Sequence, residues 1–358
     1  MSTLKIINSI LQRVDKKQTL KILDLWRYSI GLTIKDVAKK AEVSVTTVSR
    51  VLNNRGSLSA KTRIKVHEAM QELNYYPNEL AANLYRQRTM LIGLIVPDVS
   101  HSFYGLEIKY IEEALYALGY KLMLCNAGES KEREKEYLIM LQRNKVDGII
   151  IASHTLYLDD YSRINLPVVA LDRYLGKNIP TISADHEQGG ILAANELVRN
   201  NCKKVVQISG YSAIPTPSNK RHRAFHQVLE KNQIECVNYE LPLNTFKFAE
   251  YINFIHDIFT NDPDIDGLFA VDNVACAALK MAWSLKIPIP ERLKVIGYDG
   301  TEVSLMNNLS LSTIIQPVKK IIQCTVDTLL SLISGKTSFQ EGIHLKFPVT
   351  FIKRDTTL

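Results

Sequence analysis

Two groups of side chains in this sequence have types and spacings suited to chemistry, and neither is a catalytic set. The first is Ser44-Val45-Thr46-Thr47-Val48-Ser49-Arg50, with Asn53 a turn further on. Ser44 is a good helix N-cap, because its hydroxyl can accept an orphan backbone N–H of the turn that follows. Val48, Val51 and Leu52 then fall on one face at i, i+3 and i+4, which leaves Val45, Thr46, Thr47, Ser49 and Arg50 on or near the other. Small side chains and hydroxyls in a first helical turn permit close approach to the floor of a nucleic-acid groove, and helix N-terminal N–H groups can hold phosphate. Arg50 suits a guanine edge or a phosphate.

The second group sits at the ends of apolar runs. Asp98 follows L-I-G-L-I-V-P, Asp172-Arg173 follow L-P-V-V-A-L, Asp272 follows L-F-A-V, and Asp299 follows V-I-G-Y. Phe103-Tyr104 come just after the first run, and Arg221 opens a helical stretch. Carboxylates and a guanidinium bind paired hydroxyls in bidentate fashion while an aromatic ring covers an apolar C–H face, which is the chemistry a sugar needs. The plain alternative is that a strand-end aspartate caps the next helix, and it weighs most for Asp98 and Asp272.

The elements that must carry these groups are legible. Ile34, Val37, Ala38 and Ala41 recur at helical spacing before the Ser44 helix, and a third helix capped by Ser59 carries Val66, Ala69, Met70 and Leu73 on one face. Pro77 stops that helix and Asn78 can cap a short segment ending at Leu84. That segment is too short to be stable alone, so it suits ordering on DNA with Leu84 wedged between base steps. From Leu91 apolar strand runs alternate with helical stretches at 105–118, 131–144, 189–200, 221–233 and 274–285. This alternation predicts doubly wound parallel sheets, and more than ten elements exceed one comfortable domain, so two lobes are expected.

Charge divides the chain in the same place. Residues 1–32 hold six Lys/Arg against two Asp/Glu, residues 33–89 ten against five, and the remainder 28 against 30, within an overall +7. The basic excess therefore lies where phosphate neutralisation would supply affinity. Other chemistries find little support. His222 and His226 stand at i, i+4 but lack the glutamate and third ligand of a zinc motif. The five cysteines are scattered, odd in number and without C-x-x-C, which suits reduced thiols. Gly189-Gly190 opens a helix without a phosphate-loop pattern and is better explained by close packing. There is no nucleophile elbow, Walker sequence or dinucleotide fingerprint, so no enzyme and no cofactor are expected.

D-V-A at 36–38, V-S-x-x-T-V-S-R-V-L-N at 43–53 and Y-x-P-N-x-x-A-x-x-L at 75–84 together resemble the lactose/galactose-repressor family of bacterial transcription regulators, over about residues 33–358. The resemblance implies an N-terminal all-α helix-turn-helix DNA-binding domain joined to an α/β, two-lobed domain like the periplasmic binding proteins, with doubly wound parallel sheets. It implies three crossovers between the lobes, near 184–185, 316–317 and after Lys336, with ligand between them. It places Val45, Thr46 and Arg50 on the base-reading face, with Thr33, Ser44, Thr47, Ser49, Asn53 and Asn78 beside them on DNA and Leu84 as an intercalating hinge leucine. Arg221 and Asp299 stand where the family has its sugar arginine and aspartate. Four positions depart from the pattern: Glu42 for the turn glycine, Ala82 for a hinge arginine, Ala224 for a glycine, and Ser102 for a proline. A left-handed Glu42 would cost about 1 kcal/mol.

The domains expected are an extension over 1–32, a helix-turn-helix domain over 33–77, a hinge arm over 78–90, and an effector-binding and dimerisation domain over 91–358. The partners implied are near-palindromic operator DNA, a sugar or sugar-phosphate effector and a second copy of the chain, in the cytoplasm without a membrane. S-H-S-F-Y, S-H-T-L, L-D-R-Y-L and G-Y-D-G-T are similar to the sucrose-operon repressor branch, while Y-Y-P-N-E and I-P-T are shared with ribose repressors. A co-repressor response, and a sugar receptor serving a transporter, are the rival readings. Residues 1–32 have apolar runs too short for a membrane span or a secretory signal. We expect them to come from a misassigned start, since Trp26-Arg27 can be encoded by TGG-AGG and Leu32 by TTG; if translated, they suit a marginal amphipathic helix. Mass spectrometry of the native protein should find no peptide spanning Ile22 to Arg27, and finding one would end that expectation.

Overall fold

In the computed structural model the described residues are 32–53, 55–76, 88–128, 130–153, 161, 164–243, 245–335 and 342–358. The chain divides into two units, Met1–Arg88 and Thr89–Leu358. The extension before Leu32, most of the arm over 78–90 with Asn78 and Leu84, and the start of the stretch after Lys336 lie outside the described residues.

The first unit is built from α1 (Ile34–Lys40), α2 (Val45–Leu52) and α3 (Ala60–Glu72). Each begins on a polar cap. The Asp36 carboxylate accepts from the Thr33 N–H at 2.8 Å, the Ser44 hydroxyl accepts from the Thr47 N–H at 3.0 Å, and that of Ser59 from the Thr62 N–H at 3.2 Å. Val37, Ala38, Ala41, Val48, Val51, Val66 and Ala69 form its core, so the stripes expected of all three helices converge. Glu42 takes φ +53° in the turn between α1 and α2, the left-handed backbone that favours glycine. Its carboxylate reaches Lys65 at 3.6 Å, an exposed pair that offsets little of that strain.

The second unit holds two six-stranded sheets. The first has the order β11-β5-β4-β3-β1-β2, with β1 (Leu91–Val96), β2 (Lys121–Asn126), β3 (Gly148–Ile151), β4 (Val168–Leu171), β5 (Thr181–Ala184) and β11 (His344–Phe347) all parallel. The second has the order β12-β10-β9-β8-β6-β7, formed by β6 (Lys204–Ser209), β7 (Glu235–Glu240), β8 (Gly267–Phe269), β9 (Lys294–Asp299), β10 (Ser312–Ile315) and β12 (Thr350–Ile352). Only β12 pairs antiparallel there. Central strands such as L-I-G-L-I-V are buried almost throughout, because helices cover both faces, whereas the edge strands β2 and β7 are exposed or half-buried apart from Cys125.

The helices of this unit are α4 (Ser102–Ala117), α5 (Lys131–Arg143), α6 (His186–Arg199), α7 (Asn219–Lys231), α8 (Phe248–Asn261), α9 (Asp272–Ser284) and α10 (Val318–Ile333). The chain leaves the first lobe between β5 and α6 and returns between β10 and α10. It crosses a third time between β11 and β12, at residues 348–349. Local pattern shows no element between Gln233 and Ile265, where β7 and α8 lie, nor α10. Edge strand β7 is too polar to read as a buried run, and α8 is rich in Phe, Tyr and Ile, which suit strands as well as helices.

Gly189 and Gly190 settle into the close packing expected of them. A Cβ on Gly189 would run into the Tyr298 ring, and one on Gly190 would collide with the carbonyl of Arg221 on α7. Gly190→Ala should therefore destabilise the protein by about 1–3 kcal/mol, as overpacking against unyielding backbone does. Urea unfolding checks this, and an unchanged midpoint would show that α6 and α7 can part without cost.

Candidate nucleic-acid face and ligand cleft

In the helical unit Val45 is 40% exposed, an unusual place for a valine unless something covers it. Thr46 and Arg50 are exposed beside it, and Thr47, Ser49 and Asn53 are half-buried. The remaining polar residues of the set work on the helix ends. Ser44 meets the Thr47 hydroxyl at 2.8 Å as well as capping α2, and the Thr33 hydroxyl donates to Asp36 at 2.7 Å. The Asn53 amide donates to the Ser49 carbonyl at 2.8 Å. The face thus presents a methyl-rich, hydroxyl-bearing first turn followed by a guanidinium.

In the second unit a cleft of about 170 Å³ lies between the lobes, at the carboxyl ends of their strands, where open α/β sheets bind ligands. Phe103 and Tyr104 of α4, Asp172 after β4, Arg221 of α7 and Asp299 at the end of β9 all line it. The other three candidates stand outside its lining. Asp98 accepts from the Ser100 N–H and hydroxyl, both at 2.6 Å, and so closes a turn. Arg173 is 2% exposed, donates to the Ser153 carbonyl at 2.5 Å and lies over the Tyr161 ring. Asp272 is fully buried and accepts from the Thr301 N–H at 2.7 Å, the Thr301 hydroxyl at 2.9 Å and the Thr313 hydroxyl at 2.6 Å. It ties together the segments around β9 and β10.

The cleft aspartates are strained as well as placed. Asp172 has φ +53° and Asp299 φ +113°, backbone that non-glycine residues adopt uncommonly, though aspartate more readily than most. Asp172 binds His186 Nε2 at 2.7 Å, and His186 Nδ1 meets the Tyr298 hydroxyl at 2.8 Å, the two rings stacking at 5.6 Å. Tyr298 offers its face to the Arg221 guanidinium at 4.4 Å. A single chain of contacts therefore runs from an acid of the first lobe to the cation of the second.

Several lining residues were missed or read otherwise in the sequence. His101, Glu107, His222, Phe246, Tyr251 and Gln316 all face the cleft. Gln316, expected only as a crossover, donates to Asp299 at 2.8 Å, and His222, weighed as half of a metal pair, turns inward while His226 is exposed. Glu107 had a signal: it occupies the buried stripe of α4 between Phe103 and Ile111, where an apolar residue belongs. His101, Tyr104 and Phe246 form an aromatic wall with centroids 5.3–6.1 Å apart, Phe246 coming from the opposite lobe. The Ser102 hydroxyl donates across the cleft to Asn273 of α9 at 2.6 Å, a bond that the family's usual proline could not make.

Burial dominates the electrostatics. It lifts the Glu107 carboxyl well above its usual range, helped by Asp172 and Asp299, and lifts Asp299 likewise, with Asp272 adding to burial and Arg221 and Gln316 opposing it. Burial, with Arg221 and His186 nearby, pushes His222 well below the ordinary histidine value, and burial takes His101 down to about 4 against the pull of Asp98. Both rings are thus neutral near pH 7.

Comparison with known proteins agrees with this division. Residues 33–78 match the family model "Bacterial regulatory proteins, lacI family", and residues 89–343 match "Periplasmic binding proteins and sugar binding domain of LacI family". The chain is 42% identical to the sucrose operon repressor of Streptococcus mutans over 309 residues, covering 86% of this chain and 95% of that protein. It is 34% identical to the ribose operon repressor of Halalkalibacterium halodurans over 326 residues, covering 91% and 97%. Its fold superposes on the Lac repressor dimer bound to operator and the anti-inducer ONPF with a TM-score of 0.80 at 28% identity, covering 92% and 99%. The chain belongs to the LacI family of bacterial regulatory proteins, and it is a DNA-binding, sugar-responsive regulator rather than an enzyme.

Proposed function

We propose that this protein is the cytoplasmic repressor of a carbohydrate-utilisation operon, relieved when sucrose or a related fructose-containing sugar enters the cleft. The observation that carries the reading is the pairing, in one chain, of the exposed Val45-Thr46-Arg50 face with a cleft lined by aspartates, a guanidinium and an aromatic wall. The likeness to sucrose operon repressors supports the choice of sugar, and the ribose operon repressor at 34% identity makes ribose the second reading.

Two copies associate through their second units and set two α2 helices in successive major grooves of a near-palindromic operator. Val45 and Thr46 touch base edges and Arg50 reads guanine or holds phosphate. Leu84, in the arm, enters the minor groove. In the cleft, Arg221 and the carboxyls of Asp172 and Asp299 take sugar hydroxyls, while Phe103 and Tyr104 cover an apolar ring face. Sugar favours one arrangement of the lobes, and that arrangement favours release of DNA.

Linkage makes the coupling testable, because DNA must weaken sugar binding by the factor by which sugar weakens DNA binding. Sucrose titrated into the protein with and without a duplex from the promoter beside its gene should give affinities differing by about 5–150-fold. Equal affinities would sink the allosteric reading. Arg50→Ala should cost about 10–150-fold in discrimination between operator and random duplex, as loss of a bidentate base contact does. Arg221→Ala should bind the same duplex as tightly as the unaltered chain and fail to release it with sucrose.

A further inference from the structure

The cleft contains polar groups that the protein itself leaves unanswered. Glu107 is 3% exposed, lines the cleft, and hydrogen-bonds none of the described residues. His222 accepts from Arg221 Nε at 3.2 Å through its Nε2. Guanidinium nitrogens only donate, so this neutral ring carries its proton on Nδ1. That Nδ1 is buried with no partner among the described residues. A buried donor or acid without a partner is costly to a folded protein, and such a group in a cleft is explained by a ligand that completes it.

The charges around these groups restrict that ligand. Among the described residues of the lining, carboxyls come from Glu107, Asp172 and Asp299, and the one cationic side chain is Arg221. Arg221 spends its Nε on His222 and lays its guanidinium over the Tyr298 ring, so one cation with its terminal nitrogens is what the cleft offers a charged ligand. With Glu107 and Asp299 protonated, Asp172 and Arg221 cancel; with either acid ionised, the cleft is negative. A phosphate monoester adds about −1.5 to −2 charges near pH 7. Moving it out of water into this cleft would leave most of that charge without a counter-ion, which low-dielectric surroundings penalise heavily. A hydroxyl makes no such demand. It can accept from the Glu107 acid while donating to another oxygen, and any ligand oxygen can accept from His222 Nδ1–H.

We propose that Glu107 and His222 are specificity-determining contacts of this cleft, selecting an uncharged sugar over its phosphate ester, an inference that rests on the sugar-binding reading given above. The two residues act through ligand oxygens: Glu107 from the first lobe, His222 from the second. Neither belongs to the aspartate and arginine set, and Glu107 interrupts an apolar helical stripe for which a leucine would otherwise serve.

Calorimetric titration of the full chain with sucrose, sucrose 6-phosphate, D-fructose and fructose 6-phosphate tests this. In at least one pair the free sugar should bind, with its ester weaker by about 30-fold or more. Glu107→Leu should lose about 30-fold in affinity for that sugar while the ligand-free protein melts no lower, because a desolvated carboxyl gives way to an apolar side chain in an apolar stripe. A residue with a purely structural role would lose stability instead. Glu107→Gln, whose amide still donates and accepts, should stay within about fivefold of the unaltered chain, and His222→Phe should lose about tenfold. An ester that binds as tightly as its sugar, or Glu107→Leu with undiminished affinity, overturns the proposal and leaves the sugar-binding reading standing. Silence toward all four probes by protein that still binds its promoter duplex overturns that reading, and this proposal with it.

Discussion

The geometry of the second unit depends on one imidazole. His186 is the first residue of α6, immediately after the chain has left the first lobe, and it holds Asp172 with one ring nitrogen and Tyr298 with the other. Asp172 belongs to the lobe just left and Tyr298 to the lobe just entered. Because Tyr298 in turn carries the Arg221 guanidinium on its face and precedes Asp299, the position of that ring sets the spacing of Asp172, Arg221 and Asp299 in the cleft. Gly189 is in the same turn because a side chain there would strike Tyr298, so a glycine and a histidine three residues apart serve one contact.

Around this contact the protein keeps several features that reduce its stability. Two aspartates have left-handed backbone, each a local cost of about 1–3 kcal/mol. Glu107 and Asp299 resist ionisation, so part of the folded state's stability, present at acid pH, is lost as pH rises above the ordinary carboxylate range and the unfolded chain sheds protons that the folded chain keeps. Burial lifts Asp272 too, to about 6, but its partners set it apart. It is equally buried, yet three donors converge on it, and its place is in the scaffold. Buried acids with full partner sets hold strands together here, and those lacking them face the cleft.

Much of this was legible in the sequence. The helical unit could be read almost completely, since its stripes, caps and outer face follow from local spacing, while the left-handed Glu42 was expected only from the glycine that the family resemblance implies there. The doubly wound sheets followed from apolar runs buried on both faces. Helix starts were placed two to three residues late at α4, α6, α7 and α9, because first turns are polar and look like loops. Strand-end position alone could not separate Asp172 and Asp299 from Asp98, Arg173 and Asp272. All five end or follow apolar runs, and what distinguishes them is which partners the other strands bring, a long-range fact. Phe246 and Tyr251 escaped for the same reason, since they belong to a segment whose elements local pattern does not reveal.

The bond from Ser102 to Asn273 has a consequence for exchange between cleft and solvent. It is a hydroxyl–amide contact at a half-buried rim, and water can replace both of its ends at little net loss. Beside it Phe246 lies against His101 and Tyr104 of the other lobe, so parting the lobes also bares an aromatic face. The mouth thus combines a clasp the solvent itself can undo with an aromatic latch it cannot replace, so a guest's traffic is set by the latch and not by the clasp.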